Sequence, residues 1–363
     1  MTQAVVNSWN EWDPLEEVIV GSARGAAEMG FEPALAPYFP LGDPGREIRG
    51  RPIPQVLIDE AERQLDGFAS VLDRLGITVR RPDPIDHNIA MKTPDWAVDG
   101  GHTCACPRDL LLVIGDEIIE APMALRARYF EFRAYRTLLK NYFRQGARWT
   151  AAPKPLMPDD LYNESDRTAP LLTEFEPVFD AACFARFGRD IFWQPDLVSN
   201  AFGAEWLRRH LGPDFRIHRI EFRERVPTHI DTTLVPVRPG VVLVNPERPC
   251  TNGALDLFTS NGWRIVPAPA SVRTGRAPAP DVSNWISMNI LMLDEYTVVV
   301  EEAEIPMMDL MRWLGCEVIP CPFDRVYGFG GGLHCCTADI RRRGALASYF
   351  PIPTEPRPER SGW

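Results

Sequence analysis

One local pattern recurs five times along the chain and limits what it can fold into: an amphipathic helix end, a glycine, a short β-rich run and usually a proline. The copies are Leu75-Gly76-Ile77-Thr78-Val79 ending at Pro82, Gln145-Gly146-Ala147-Arg148-Trp149 ending at Pro153, and Leu211-Gly212 leading to Phe215-Arg216-Ile217. Two more are Asn261-Gly262-Trp263-Arg264-Ile265-Val266-Pro267 and Leu314-Gly315-Cys316-Glu317-Val318-Ile319-Pro320. Their glycines are 70, 66, 50 and 53 residues apart. Glycine suits the left-handed position that closes a helix, and the β-branched or aromatic run behind it suits a strand. Apolar positions Leu57, Ala61, Leu65, Phe68, Leu72 and Leu75 recur every three or four residues and predict one helix face.

Upstream of four of these helices an apolar run, a polar turn and a second run predict a hairpin. The first runs are Leu110–Ile114, Cys183–Phe187, Leu234–Val237 and Ile290–Leu293. For the first copy only Leu15–Val20 is clear, so its partner strand is expected from elsewhere in the chain. One such module cannot bury its apolar face alone. Five ββαβ modules therefore predict a single closed, pseudo-symmetric α/β domain over residues 1–363, in preference to an ordinary sheet with variable loops.

Composition narrows the function. With 39 basic and 50 acidic residues the net charge is −11, and no stretch gathers Lys and Arg into the stripe that a phosphate backbone requires. The run Arg341-Arg342-Arg343 is read as a solvated or carboxylate-paired face, so no nucleic-acid partner is expected. The longest apolar runs fall far short of the ~18 residues that span a bilayer. No membrane partner is expected, and the polar start of the chain points to a cytoplasmic protein. Eight cysteines show no C-x-x-C pair, and Cys104-Ala105-Cys106 near His102 lacks the spacing of a zinc site, so no metal is expected.

The loops that follow the third strand of each module hold the unusual polar residues: Asp95, Asp180, His229 with Asp231, Ser283, and Cys335. If the modules surround an axis, these loops meet. Three carboxylates, an imidazole and a thiol would then share one place.

The stretch Gly330-Gly331-Gly332-Leu333-His334-Cys335-Cys336-Thr337, followed by Asp339-Ile340-Arg341-Arg342-Arg343-Gly344, resembles the catalytic segment of the arginine:glycine and inosamine-phosphate amidinotransferases, of the pentein superfamily. Similar stretches are Lys92-Thr93-Pro94-Asp95-Trp96, Pro107-Arg108-Asp109, Glu120-Ala121-Pro122-Met123, Glu174 through Ala182, His229-Ile230-Asp231, Asn245 through Cys250, and Ser287-Met288-Asn289. The resemblance runs from about Asn7 to Phe350 in the family's order. It implies a five-bladed α/β propeller around a central site, and an enzyme that moves the amidino group of L-arginine to a small amine without a cofactor. By position it makes Cys335 the nucleophile, His229 the acid and base, and Asp180 the partner of His229. It assigns Asp95 and Asp231 to the guanidinium, and Arg248 and Ser283 to the amino-acid end of arginine.

Cys336 is the rival thiol. In an extended segment neighbouring side chains face opposite ways, so only one of the two can face the site. His334 reads as structural, and Asp109 and Glu120 as strand-end residues that hydrogen bonds or Arg pairing explain as well as function does. Thr228 stands where glycine-using relatives carry Met, and Val226 where they carry a polar residue, so the acceptor is expected to be larger than glycine. Cys183 replaces an acidic residue and is expected to alter the support of Asp180. An arginine deiminase-like hydrolase and a non-catalytic binding protein are the alternatives; the oligomer is left open, a homodimer included.

Overall fold

The computed structural model describes residues 4–47, 50–164, 170–223, 228–273 and 282–350. It contains five three-stranded sheets, each with an antiparallel pair and a third strand added in parallel. Four are built from consecutive chain. Leu111–Ile114 pairs with Glu117–Glu120 and Arg148–Ala151; Phe184–Phe187 with Asp190–Trp193 and Arg216–Arg219. Leu234–Arg238, Val241–Val244 and Arg264–Pro267 form the next, then Leu291–Asp294, Thr297–Glu301 and Glu317–Cys321. Between the second and third strand of each lies a helix: Phe132–Arg144, Ala201–Leu211, Asp256–Ser260 and Ile305–Trp313.

The remaining sheet takes its first strand from the far end of the chain. Leu15–Val20 pairs antiparallel with Thr337–Arg342 and parallel with Thr78–Arg80, the helix Gln55–Arg74 intervening. This is the missing partner strand that the sequence required.

Helix and strand positions follow the repeat. All five module glycines have positive φ, from 73° at Gly262 to 101° at Gly146. The central strands are buried on both faces and so read as unbroken apolar runs such as Val298–Val300. One detail differs: in Gln55–Arg74 the buried face is Ile58, Ala61, Leu65, Phe68 and Leu72, while Leu57 and Leu75 are about half exposed. Leu57 fits the spacing as well as Ile58 does, and only packing against Leu15–Val20 and its neighbours chooses between them. Two members of the arginine run are carboxylate-paired and the third, Arg343, is exposed: Arg341 lies 3.0 Å from both Glu16 and Glu17, and Arg342 2.9 Å from Asp339.

At the end of Leu15–Val20 the chain passes so close to another segment that Gly21 has no room for a side chain. A Cβ there would lie 1.9 Å from the Ala105 carbonyl oxygen, while the Gly21 N–H donates to the Cys336 carbonyl at 2.9 Å. Gly67, in contrast, sits mid-helix, exposed, with open space where a Cβ would go. Gly21→Ala is therefore expected to destabilise by about 1–3 kcal/mol through backbone displacement, and Gly67→Ala to stabilise by roughly 0.5–1 kcal/mol through helix propensity. Thermal denaturation of both variants checks this; equal Tm values would refute the packing at Gly21.

Candidate active site

Just before the first strand of each sheet the chain makes a single tight turn. These turns are Pro107–Leu110 before Leu111, Ala181–Cys183 before Phe184, Ile230–Thr232 before Leu234, Ile286–Met288 before Leu291, and residues 333–336 before Thr337. On these turns or immediately beside them stand, in order, Asp109, Asp180, His229 with Asp231, Asn289 and Cys335. Because the turns occupy equivalent places in the repeat, five distant parts of the chain deliver one side chain or two to a common centre.

The thiol of Cys335 lies 3.2 Å from Asp231 Oδ2 and accepts from Asn289 Nδ2 at 3.2 Å; Asn289 Oδ1 also accepts the Cys335 N–H at 2.9 Å. His229 Nε2 is 3.1 Å from Asp180 Oδ2, and its Nδ1 is 3.6 Å from Asp109 Oδ1. Donor atoms of Asp109, His229 and Cys335 lie within 4.8 Å of one another, close enough for a metal ion to bridge, although each already faces a hydrogen-bonding or charged neighbour. Arg128 ties the carboxylates together, donating to Asp109 Oδ2 at 2.8 Å and to Glu131 at 2.9 Å, 3.7 Å from Asp180. A narrow cavity of about 50 Å³ touches Asp109, Asp180, His229 and Thr228, with Leu35 and Leu197 on its apolar side.

His229 has a backbone conformation that non-glycine residues rarely adopt, with φ 71° and ψ 148°. Such strain costs on the order of 1–3 kcal/mol and persists only where neighbours impose it. Here Asp196 Oδ2 accepts the His229 N–H at 2.7 Å and Gln194 Nε2 donates to its carbonyl at 3.0 Å. Cys183, expected to bear on Asp180, instead faces the Asp196 carboxylate at 3.5 Å and so supports this clamp.

Burial alone would discharge the imidazole. The charge of Asp109, then the hydrogen bond and charge of Asp180, then Asp231, overcome it and raise His229 to about 10. Asp231 is driven the other way: burial pushes it up, but the His334 hydrogen bond and the charges of His334 and His229 bring it down to about 2. Cys335 stays well above the usual thiol range through burial and the charges of Asp231 and Asp109. Without substrate the centre thus holds a neutral thiol, an imidazolium and ionised Asp231.

Of the residues singled out from the sequence, Cys335, His229, Asp180 and Asp231 come together. Asp95 does not. It stands exposed on the turn joining Met91–Lys92 to Ala97–Val98, its N–H bonded to Thr93 Oγ1 at 3.3 Å, and Asp109 occupies the buried place near Cys335 instead. Arg248 is buried and donates to Thr233 Oγ1; Ser283 Oγ accepts the Trp285 N–H at 3.0 Å, capping a turn. Thr228 is half-buried beside His229, and Val226 lies outside the described residues.

Cys336 does turn away, its sulfur 3.9 Å from Cys106, but the segment is a turn with Cys336 N–H bonded to Gly332, so strand alternation is not the reason. Cys104 meets His87 Nε2 at 3.3 Å, so the thiols of Cys104 and Cys106 have different neighbours. Asp109, Asn289, Asp196 and His334 were missed as site residues, although Asp109, Asn289 and His334 stand in stretches that carried the family resemblance.

The charge on His229 makes stability depend on pH in a definite direction. Its folded-state value of about 10 exceeds the ~6.5 of an unfolded imidazole, so its contribution is complete below about pH 6.5 and is lost as pH rises through about 10. Asp180→Asn should lower the titration midpoint of the ring. Histidine NMR of the substrate-free protein measures both, and a wild-type His229 midpoint at or below 7 would contradict the electrostatic picture.

No family model matches the chain. Curated relatives do. The L-arginine:L-lysine amidinotransferase of Pseudomonas savastanoi pv. phaseolicola is 46% identical over 354 residues, covering 95% of this chain and 96% of that protein. The mitochondrial glycine amidinotransferase of Gallus gallus is 45% identical over 360 residues, covering 95% and 85%. Among solved structures SxtG, an amidinotransferase of the saxitoxin pathway from Microseira wollei, superposes with a TM-score of 0.87 at 46% identity over 95% of this chain and 99% of that one. Identity at this level over nearly the whole chain, with the five-module architecture, makes the protein a member of the amidinotransferase family of the pentein superfamily, an enzyme that carries an amidino group from arginine to an amine acceptor.

Proposed function

We propose that transfer runs through a covalent amidino group on Cys335, with His229 as acid and base and Asp180 orienting its ring. The observation that carries this reading is the convergence beside Cys335 Sγ of Asp231 and Asp109, each buried and each with one carboxylate oxygen lacking a hydrogen-bond partner among the described residues. Such oxygens suit the planar N–H edges of a guanidinium, which fix its carbon for attack better than a point charge could. Asp109 takes the role that the family resemblance suggested for Asp95. Arg248 and Ser283 remain the proposed contacts to the amino-acid end of arginine.

A guanidinium carbon is a poor electrophile, so a strong nucleophile that divides the displacement into two steps is an advantage. Entry of the cation offsets the carboxylate charge that holds Cys335 neutral, and the thiol proton leaves to solvent. The thiolate adds to the guanidinium carbon, and His229 gives its proton to the departing ornithine nitrogen. The C–N bond breaks, leaving a cationic amidino-cysteine. The acceptor amine then attacks as neutral His229 takes its proton, and collapse returns the thiolate. Held between Asp180 and Asp109, neutral His229 is placed to take the proton that the amine sheds on attack.

Thr228 and Val226 are proposed to shape the acceptor site, Thr228 because it lines the cavity beside His229. A Thr in place of Met leaves room, so the acceptor is proposed to be an amine larger than glycine. The same reading holds residues 1–363 to be a single cytoplasmic domain, with a homodimer testable by light scattering.

Incubation with arginine and no acceptor should add one amidino group to the intact mass, mapped to the Cys335 peptide and absent in Cys335→Ser; an adduct on Cys336 refutes the assignment. Release of citrulline and ammonia in place of ornithine would identify the hydrolase alternative. Across a panel of amines, glycine should be poorer than the best larger amine by 10–200-fold in kcat/KM, and Thr228→Met should narrow that gap. A wild-type preference for glycine would overturn the role given to Thr228.

A further inference from the structure

Behind the site lies a buried block of charge with no part in the chemistry above. Glu11 accepts from Arg186 Nε at 2.7 Å and Nη2 at 2.8 Å and from Arg108 Nη1 at 3.3 Å. Asp339 takes the other sides of the same guanidiniums, 2.8 Å from Arg108 Nη2 and 2.8 Å from Arg186 Nη2. Arg108 Nε also holds the His334 carbonyl at 2.8 Å. His334 joins this block to the site: its Nδ1 lies 2.8 Å from Asp231 Oδ2 and its Nε2 3.4 Å from Glu11 Oε2.

Asp231 Oδ2 is the oxygen that also faces the Cys335 thiol, while Oδ1 has no hydrogen-bond partner among the described residues. A buried carboxylate with one empty oxygen is costly and would turn or take up a proton unless something holds the other oxygen. An N–H donor to Oδ2 does both tasks: it favours the ionised form and leaves Oδ1 aimed for substrate.

We propose that His334 is the positioning residue of the guanidinium site, its Nδ1–H fixing Asp231 while Glu11, locked by Arg186 and Arg108, holds the ring from behind. This rests on the roles given to Cys335 and Asp231 above. His334 touches no reacting atom. Its effect falls on how arginine is held, and so on the rate of amidino-cysteine formation as well as on arginine affinity.

The two ring nitrogens can be tested apart, because the amide nitrogen of Asn stands near Nδ1 of His and that of Gln near Nε2. His334→Ala and His334→Gln should lower kcat/KM for arginine by roughly 100-fold, the value of a hydrogen bond to a charged group, raising KM and slowing single-turnover adduct formation. His334→Asn should recover the activity to within about tenfold of wild type. The half-protection of Cys335 from iodoacetamide by arginine should follow the same order. Equal loss in Asn and Gln variants overturns the proposal, as does wild-type behaviour of the Ala variant. Should the variants fail to fold, ¹⁵N NMR of the wild-type ring decides: a protonated Nδ1 supports the assignment and a bare Nδ1 overturns it. A wild type that forms no adduct at all would strike at the Cys335 mechanism instead, so the two failures are distinguishable.

Discussion

The pairing of Leu15–Val20 with Thr337–Arg342 holds the rest of the site in place. Val20 stands opposite Thr337, and the Gly21 N–H bonds to the Cys336 carbonyl, so the ladder ends next to the Cys335 thiol. A slip of one residue would move the thiol by ~3.3 Å and turn buried side chains to the wrong face. The same strand carries Asp339 and Arg342 into the buried charge block, so the register that places the Cys335 thiol also sets its electrostatic background. A sheet whose two neighbouring strands come from opposite ends of the chain closes a loop of more than three hundred residues, an entropic cost that strand pairing and burial must together exceed.

Charge buried at this density is tolerable only when nearly every ion has a partner. Arg128 serves Asp109 and Glu131, while Arg186 and Arg108 serve Glu11 and Asp339. Removing one member of such a set costs about 3–5 kcal/mol because an uncompensated charge remains. Beside the thiol, Asp109, Asp180 and Asp231 each keep one oxygen without a hydrogen-bond partner among the described residues. Those oxygens suit a cationic ligand, and burial together with the charges of Asp231 and Asp109 keeps the Cys335 thiol protonated in the ligand-free protein. On the proposed mechanism, arginine supplies both the amidino group and the charge that readies the Cys335 thiol.

The backbone of His229 shows the same economy at the level of one residue. Its left-handed conformation is imposed by Asp196 and Gln194, residues that carry no motif of their own. Cys183 contacts Asp196, so a substitution read as a change near Asp180 acts on the imidazole's neighbour instead. Function in this fold is spread over turns whose members meet only after the modules close.

The repeat of helix, glycine and strand was legible in the sequence because it is local: glycine at positive φ, a 3.6-residue apolar period and β-branched runs need no tertiary partner to be recognised. Residues in compact motifs, Cys335, His229, Asp231 and Asp180, were legible for the same reason. What the sequence could not settle depends on distance across the closed ring. Asp95 and Asp109 both stand in family-like stretches, but one lies on an exposed hairpin and the other on a turn equivalent to those of Asp180 and Cys335. His334 looked structural because its two carboxylate partners, Glu11 and Asp231, are 323 and 103 residues away. Local propensity specifies the modules; the register of the closing strands and the pairing of buried charges decide which of their polar residues meet.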